Sequence, residues 1–323
     1  MSPVNIPAFN NLTLDPSGPK GNAWGLFGKE NHLGILNLLT PEVVKQSASE
    51  EIREGARFAL DWKLNALHKP AFGRQSFEEK IHHKAPRVVN DDILVFNTQC
   101  STQWDGFRHY ANQAHKLFYN GTSQETIETT DILGIDSWVD NGGVVGRGVL
   151  VDIASYAEKN NLTFPAFQST VIPLDLIKKI SEEQKVSFRL GDILFTRVGF
   201  TKAYEQLSFE EGIALGQRPV SRFAGIESSE ATLRWLWENQ FAAVASDAVA
   251  VESSPVDGPQ IPPEWSLHQW CLAGWGLPLG EMFYLEKLAS HCAEKKRWTF
   301  FFSSVPLNVP GGVASPPNAV AIM

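Results

Sequence analysis

The sequence predicts a mixed α/β fold in one domain. Three apolar segments of strand length, 146–153, 190–198 and 242–251, are spread through the second half of the chain. Segment 173–183 repeats apolar residues on one helical face, and 229–239 has the same pattern with a cap at Ser228 or Ser229. Because strands and helices do not alternate strictly, the pattern favours a mixed sheet over a doubly wound parallel sheet.

Earlier elements are marked by local signals. Thr40 and Pro41 form a helix start, a cap followed by proline at the first helical position, and the helix should run to about Ser49. Segment 58–64 alternates apolar and polar residues in part and is predicted as a strand, whereas 65–87 is predicted to be irregular.

The end of the chain supplies two further elements. Segment 263–272 is predicted as a helix that carries His268, and 298–303 as the last clear strand. Residues 1–20 are rich in proline and asparagine and are predicted to form a surface arm. Residues 21–323 are then expected to form a single domain, because no linker or repeat divides them.

Composition excludes several classes of protein. The chain has 323 residues with 43% hydrophobic and 20% charged, which are globular values. Its net charge of -8 shows no basic patch for nucleic acid, and no apolar run is long enough for a membrane span. The first residues lack a secretory signal, and three scattered cysteines do not form a disulfide framework. A cytoplasmic location is therefore expected.

Polar side chains are concentrated in one stretch, which reads Gln99-Cys-Ser-Thr-Gln-Trp-Asp-Gly-Phe-Arg-His. Gln99, Gln103, Asp105 and His109 can each bind a metal or carry a proton, and the apolar segment 93–96 leads into them. A polar cluster between apolar residues is typical of the edge of a core, where unpaired polar groups are costly. On spacing alone, a hydrogen-bonded turn remains open, because glutamine is a weak metal ligand.

The same stretch resembles the metal motif of the cyclase family of metal-dependent hydrolases, whose common form is His-x-Gly-Thr-His-x-Asp-x-Pro-x-His. Gln99 and Gln103 replace the two ligand histidines, while Asp105 and His109 stay in place. This variant resembles the trans-dienelactone hydrolase branch of a family that also contains kynurenine formamidase and isatin hydrolase. Further likenesses run in order from about residue 24 to 320.

The resemblance implies a fold, a metal and a set of ligands. The fold would be a swivelling β/β/α domain with a mixed sheet, assembled as a homodimer or larger homo-oligomer. Gln99, Gln103 and Asp105 would bind a divalent metal, zinc or manganese. His268 and Glu281 resemble the second ligand pair of the family, which holds a second metal in some members and serves substrate or proton relay in others.

The remaining site residues follow from the motif. His109 matches the catalytic histidine of the family and would act as general base and then as acid. Trp104 and Phe107 are predicted to form walls of a substrate pocket. Cys100 is expected to pack rather than to act as a nucleophile, because no histidine is placed beside it in a nucleophile-like context.

The implied activity is hydrolysis of a small molecule, a lactone, cyclic amide or aryl formamide, by metal-activated water. Two alternatives stay open at this point. One is a non-hydrolytic cyclase or dehydratase of secondary metabolism on the same fold, which the double glutamine replacement suggests. The other is a metal-free binding protein that keeps an inactive site.

Overall fold

The structure is a computed structural model that describes residues 5–255 and 263–323. Its strands and helices are interspersed along the chain. The strands are β1 Arg57–Ala59, β2 Glu78–His83, β3 Asn90–Val95, β4 Gln103–Asp105, β5 Val144–Asp152, β6 Val171–Ile172, β7 Ile193–Arg197, β8 Gly225–Ile226, β9 Ala243–Ser246, β10 Leu279–Glu281, β11 Thr299–Ser304, β12 Ala314–Ser315 and β13 Ala319–Ile322. The α-helices are α1 Pro41–Glu51, α2 Gln124–Thr129, α3 Asp136–Asp140, α4 Ile153–Lys159, α5 Leu174–Glu183, α6 Phe200–Tyr204, α7 Phe209–Gly216, α8 Glu230–Glu238 and α9 Glu286–Lys295.

Nine strands form the main sheet, in the order β1-β13-β11-β5-β7-β9-β10-β4-β12. The central pairs β5–β7, β7–β9 and β9–β10 are parallel, and every other pair in this sheet is antiparallel. Strands β7 and β9 are buried along their whole length, and β5 along nearly all of it, as expected for strands covered on both faces. The predicted mixed α/β fold is confirmed.

Helix starts were predicted well because capping is local chemistry. The Thr40 side chain accepts a hydrogen bond from the Val43 backbone N–H, and α1 begins at Pro41. The Ser229 side chain accepts one from the Thr232 backbone N–H at the start of α8. In α5, Leu174, Ile177 and Ile180 are buried on one face, as the spacing indicates.

The prediction for 65–87 was wrong in its last third. Residues Glu78–His83 form β2, which pairs antiparallel with β3 in a separate two-stranded sheet. Segment 93–96 does contribute to a strand, but all six residues of β3 are exposed to solvent. The polar stretch that follows is therefore preceded by an exposed hairpin and not by a core strand.

Several boundaries also differ. The strand predicted at 58–64 is limited to β1, and β9 ends at Ser246, before Asp247. The predicted helix at 263–272 consists of a short 3₁₀ turn followed by a π-helix, Gln269–Trp275, and His268 directly precedes the π-helix. Two short strands, β12 and β13, follow β11, so the strand predicted as the last is not the last.

The first described residues lie against α8 and the π-helix. The Phe9 ring stacks on Trp270 at a centroid distance of 5.8 Å, and the Trp237 indole N–H donates to the Pro7 carbonyl. Residues 1–4 of the predicted arm lie outside the described residues, and the boundary at residue 20 stays a prediction. Within the described ranges, no helix has the length and apolar character needed to cross a membrane.

Candidate metal centre

The centre is organised by the short strand β4, which is completely buried. Alternation along a strand puts Gln103 and Asp105 on one face and Trp104 on the other. Strand β10 runs antiparallel beside it and pairs Glu281 with Gln103 and Gly280 with Trp104. Directly paired residues share a face, so three polar side chains project to the same side of the sheet.

Neighbouring contacts fix both ends of β4. The Thr102 hydroxyl donates to the Met282 carbonyl and accepts from the Trp62 backbone N–H. After the strand, a turn closes with the His109 N–H donating to the Gly106 carbonyl. This turn places His109, four residues after Asp105, on the same face as Asp105.

Three buried oxygens on this face lack a hydrogen-bond partner among the described residues. They are Gln103 Oε1, Asp105 Oδ2 and Glu281 Oε1. The second polar atom of two of these side chains is hydrogen-bonded, since Gln103 Nε2 donates to Glu281 Oε2 at 2.6 Å. An unpaired buried polar atom costs about 1–3 kcal/mol, so three of them together indicate a space built for a group that they bind.

Two histidine rings complete the cluster. His109 Nε2 lies 3.7 Å from Asp105 Oδ2. His268 Nε2 lies 3.9 Å from the same oxygen and 3.2 Å from Glu281 Oε1. One candidate ligand atom from each of Asp105, His109 and His268 falls within 4.8 Å of the others. Residues more than 150 positions apart in sequence therefore meet in one cluster.

Glu252 is a participant that the sequence analysis missed. Its Oε2 lies 2.9 Å from His268 Nδ1, and its Oε1 accepts the His268 backbone N–H at 3.1 Å. A carboxylate on Nδ1 fixes the orientation of the ring and leaves Nε2 facing the cluster, as is usual behind metal-binding histidines. The signal in the sequence was a lone carboxylate at the end of the apolar run 248–251.

Gln99 occupies a different place from the one its motif position suggests. Its amide nitrogen donates to Asp105 Oδ1 at 2.7 Å and lies 3.2 Å from His109 Nε2. In this orientation, the nitrogen and not the carbonyl oxygen faces the cluster, so Gln99 holds the carboxylate of Asp105. Its role as a metal ligand stays a prediction that this orientation does not support.

Burial controls the protonation of the cluster. Burial lowers the pKa of His109 below its ordinary value, and the charge of Asp105 only partly opposes it. For His268, burial disfavours the charged ring, but the charge and hydrogen bond of Glu252 outweigh burial and raise the pKa well above its ordinary value. Burial and the charge of Asp105 raise the pKa of Glu281 to about 7.

These residues fit a divalent cation. Two ligands at 2.0–2.2 Å from one ion lie at most about 4.4 Å apart, and the measured separations of 3.2–3.9 Å satisfy that limit. The candidate donors are the carboxylates of Asp105 and Glu281, the His268 imidazole and the Gln103 amide oxygen, with His109 beside them, and such oxygen and nitrogen groups bind divalent metals. Asp105 Oδ2, Gln103 Oε1 and Glu281 Oε1, which make no hydrogen bond among the described residues, would then be bound to the ion.

Trp104 and Phe107 lie in the core. The Trp104 ring is fully buried against Phe283 and Phe302, and its N–H donates to the Ser304 hydroxyl. Gly280 permits this packing, because a Cβ there would come within 2.8 Å of the Trp104 ring. Phe107 packs against aromatic side chains outside the cluster. Their predicted role as pocket walls stays a prediction that these contacts do not support.

Two carboxylates near the sheet have structural roles. Asp152 caps α4 by accepting from the Ser155 N–H, and it also pairs with Arg197 at 2.7 Å. Asp247 accepts two backbone N–H groups, at 2.6 and 2.8 Å, in the turn after β7. Cys100 is buried and reduced, with burial raising its pKa, which agrees with a packing role.

The fold and the cluster together define a mixed α/β protein with a buried carboxylate–histidine centre suited to a divalent cation. The sequence profile of the family described as putative cyclase matches residues 39–253. The chain belongs to this family, as its motif predicts. No curated protein matches it in sequence.

Solved structures agree with this assignment. A protein described as a novel cyclase is 27% identical, with a TM-score of 0.81 over 94% of this chain and 99% of its own. Isatin hydrolase A from Ralstonia solanacearum is 14% identical, with a TM-score of 0.58 over 83% and 92%. Isatin hydrolase A from Labrenzia aggregata, bound to benzyl benzoate, is also 14% identical, with a TM-score of 0.59 over 87% and 97%. At 14% identity, the likeness to the isatin hydrolases concerns the fold alone.

Proposed function

We propose that the protein is a metal-dependent hydrolase that opens a lactone or cyclic amide, or cleaves an aryl formamide. The observation that carries this proposal is a set of three buried oxygens without a hydrogen bond beside two histidine rings. Membership of the cyclase family and the name hydrolase of two structural neighbours support the reaction type. We place the enzyme in the cytoplasm, as a homodimer or larger homo-oligomer.

In this proposal, Asp105, Gln103, His268 and Glu281 would hold the cation. A bound zinc or manganese ion supplies Lewis acidity, which polarises a carbonyl and lowers the pKa of water. Without a cation, the carboxyl groups of Asp105 and Glu281 lie beside His268, whose pKa is raised. Binding of a divalent cation would release the His268 proton, because only the neutral ring can be a metal ligand.

His109 is the proposed general base. Because burial lowers its pKa, the ring is neutral at pH 7 and can accept a proton from the attacking water. It then returns this proton to the departing oxygen or nitrogen, so that one water is added across the broken bond. Gln99 donates to Asp105 and contacts the His109 ring, and it would hold the two side chains in register.

The test combines metal analysis with a substrate screen. We expect stoichiometric zinc or manganese in the purified protein and a product that gains one water from a lactone, imide or formamide. His109→Ala should abolish turnover and keep the metal, whereas Asp105→Ala should lose both. An unchanged product mass, or loss of water, would replace hydrolysis by the cyclase or dehydratase alternative. Absence of metal with no activation on adding it would remove the enzyme proposal.

A further inference from the structure

The β2–β3 hairpin exposes an unusual amount of apolar surface. Six aliphatic side chains on it are between 44% and 94% exposed: Ile81, Val88, Val89, Ile93, Leu94 and Val95. Their combined exposed area is on the order of several hundred Å², comparable to the largest apolar patch of a typical monomer, and it is divided between the two faces of the ribbon. The hairpin is therefore a candidate interaction surface.

The hairpin cannot obtain its stability from the core. Its register pairs Ile81 with Asp92 and Lys80 with Ile93, so aliphatic residues occur on both faces of the ribbon. Eleven of its twelve strand residues are exposed. A two-stranded ribbon is marginally stable in water unless further strands or a packed face support it. Within the described residues, β2 and β3 pair only with each other.

The charges along β2 are self-complementary. The strand begins with Glu78 and Glu79, has Ile81 near its middle, and leads through His83 into Lys84. If a second β2 runs antiparallel with Ile81 opposite itself, Glu78 faces Lys84, Glu79 faces His83 and Lys80 faces His82, so each carboxylate of the strand faces a basic side chain. A twofold interface requires this kind of surface, which matches its own copy.

The other edge of the ribbon lacks this property. Strand β3 carries Asp91 and Asp92 and no cation, so two copies of β3 would bring like charges together. Lys84 already contacts Asp91 within its own hairpin, which keeps the ammonium beside the end of β2. The charge pattern thus favours the β2 edge and a second copy of this chain as its partner.

We infer that two copies of the chain pair through their β2 edges, antiparallel and centred on Ile81. The two hairpins then form one four-stranded sheet. The Ile81 side chains of the two copies then face each other, and Leu94 of each hairpin lies diagonal to Ile81 on the same face, so four aliphatic side chains come together there. The inference deepens the homo-oligomer part of the proposed function by assigning its surface, and it is independent of the reaction.

Cysteine crosslinking tests the register directly. Residues opposite each other in an antiparallel pair have Cα atoms about 4.5–5.5 Å apart, within the range that a disulfide spans. The three native cysteines are buried, so few dimers should be crosslinked through them. Ile81→Cys should give a covalent dimer under mild oxidation. Ile93→Cys is the matched control, because three strand spacings of about 4.8 Å separate it from its copy.

Sedimentation of the full chain provides the second readout. We expect wild type to have at least twice the chain mass of 35.8 kDa. Ile81→Lys should lower the mass by dissociating this interface, while Leu162→Lys, at another exposed position, should not. A wild-type monomer, crosslinking through Ile93→Cys but not Ile81→Cys, or an unchanged Ile81→Lys assembly would each overturn the inference. None of these readouts depends on activity, so failure of the hydrolase proposal would be seen separately.

Discussion

The substitution Asp105→Asn tests the metal centre most sharply, because it removes one charge and almost no volume. The carboxylate is fully buried, with Oδ1 held by Gln99 and Oδ2 facing both histidines. Loss of a partner behind a metal ligand costs 10–100-fold in affinity, so loss of this direct ligand should cost at least about 100-fold. The fold should survive, because the amide oxygen can still accept from Gln99.

The gain in unfolding free energy on cation binding follows from thermodynamic linkage. At a cation concentration of 100 times its Kd, wild type gains about 2.7 kcal/mol, whereas a 100-fold weaker variant gains about 0.4 kcal/mol. With about 2 °C per kcal/mol for a chain of this size, the Tm should rise by about 5 °C in wild type and about 1 °C in the variant. Calorimetry of chelator-treated protein, with and without manganese or zinc, measures both shifts.

A second observation makes this test stricter. The charge of Asp105 contributes to the raised pKa of Glu281, so its removal relieves a repulsion in the metal-free protein. Metal-free Asp105→Asn should therefore be at least as stable as metal-free wild type. Asp140→Asn, at an exposed helix end, is the control for loss of one surface charge. A full 5 °C shift in Asp105→Asn would refute the assignment of Asp105 as a ligand.

Three further predictions concern the surroundings of the cluster. Glu252→Gln should weaken cation binding about 10–100-fold, as measured by titration, because His268 loses the carboxylate on its Nδ1; unchanged affinity would show that Glu252 does not orient the ring. Cation affinity should rise from pH 6 to pH 8, because the pKa of Glu281 is about 7 and its carboxyl must lose a proton to bind. Calorimetric titrations across that range measure the slope, and Glu281→Gln should reduce it. Trp104→Ala should cost about 3–5 kcal/mol in denaturant unfolding, since the ring is a core residue; a small loss together with a raised KM would restore the pocket-wall role.

The sequence predicted those parts of the structure that depend on local chemistry. The cap at Thr40 and the apolar face of α5 are set by neighbours within a few residues and were located correctly, and the structure selects Ser229 from the two serines predicted to cap α8. The hairpin was missed for the opposite reason. Aliphatic residues at 93–95 indicate a strand, but residue type does not reveal whether the strand faces a core, solvent or a partner.

The residues of the candidate site also separate into those that local sequence predicted and those that it did not. Asp105 and His109 are linked by a short motif, but spacing alone could not bring His268 and Glu281 to them, and only the ordered family resemblance suggested it. Glu252 was missed because its role depends on a ring 16 positions away in sequence. The orientation of Gln99 was also beyond prediction, since its amide can present either oxygen or nitrogen, and the neighbouring carboxylate decides.

The three-residue strand β4 has a consequence for how this sequence can change over time. Alternation along this strand puts Gln103 and Asp105 on the face of the carboxylate–histidine cluster and Trp104 on the opposite, core-facing side. Both orientations depend on the register with which β4 pairs with β10. Insertion or deletion of one residue here would exchange the two faces of the strand, so that the Trp104 ring would point towards the carboxylate–histidine cluster and the two polar side chains into the aromatic interior. Substitutions that keep this pairing can therefore be accepted in β4, but the length of this segment has to remain constant.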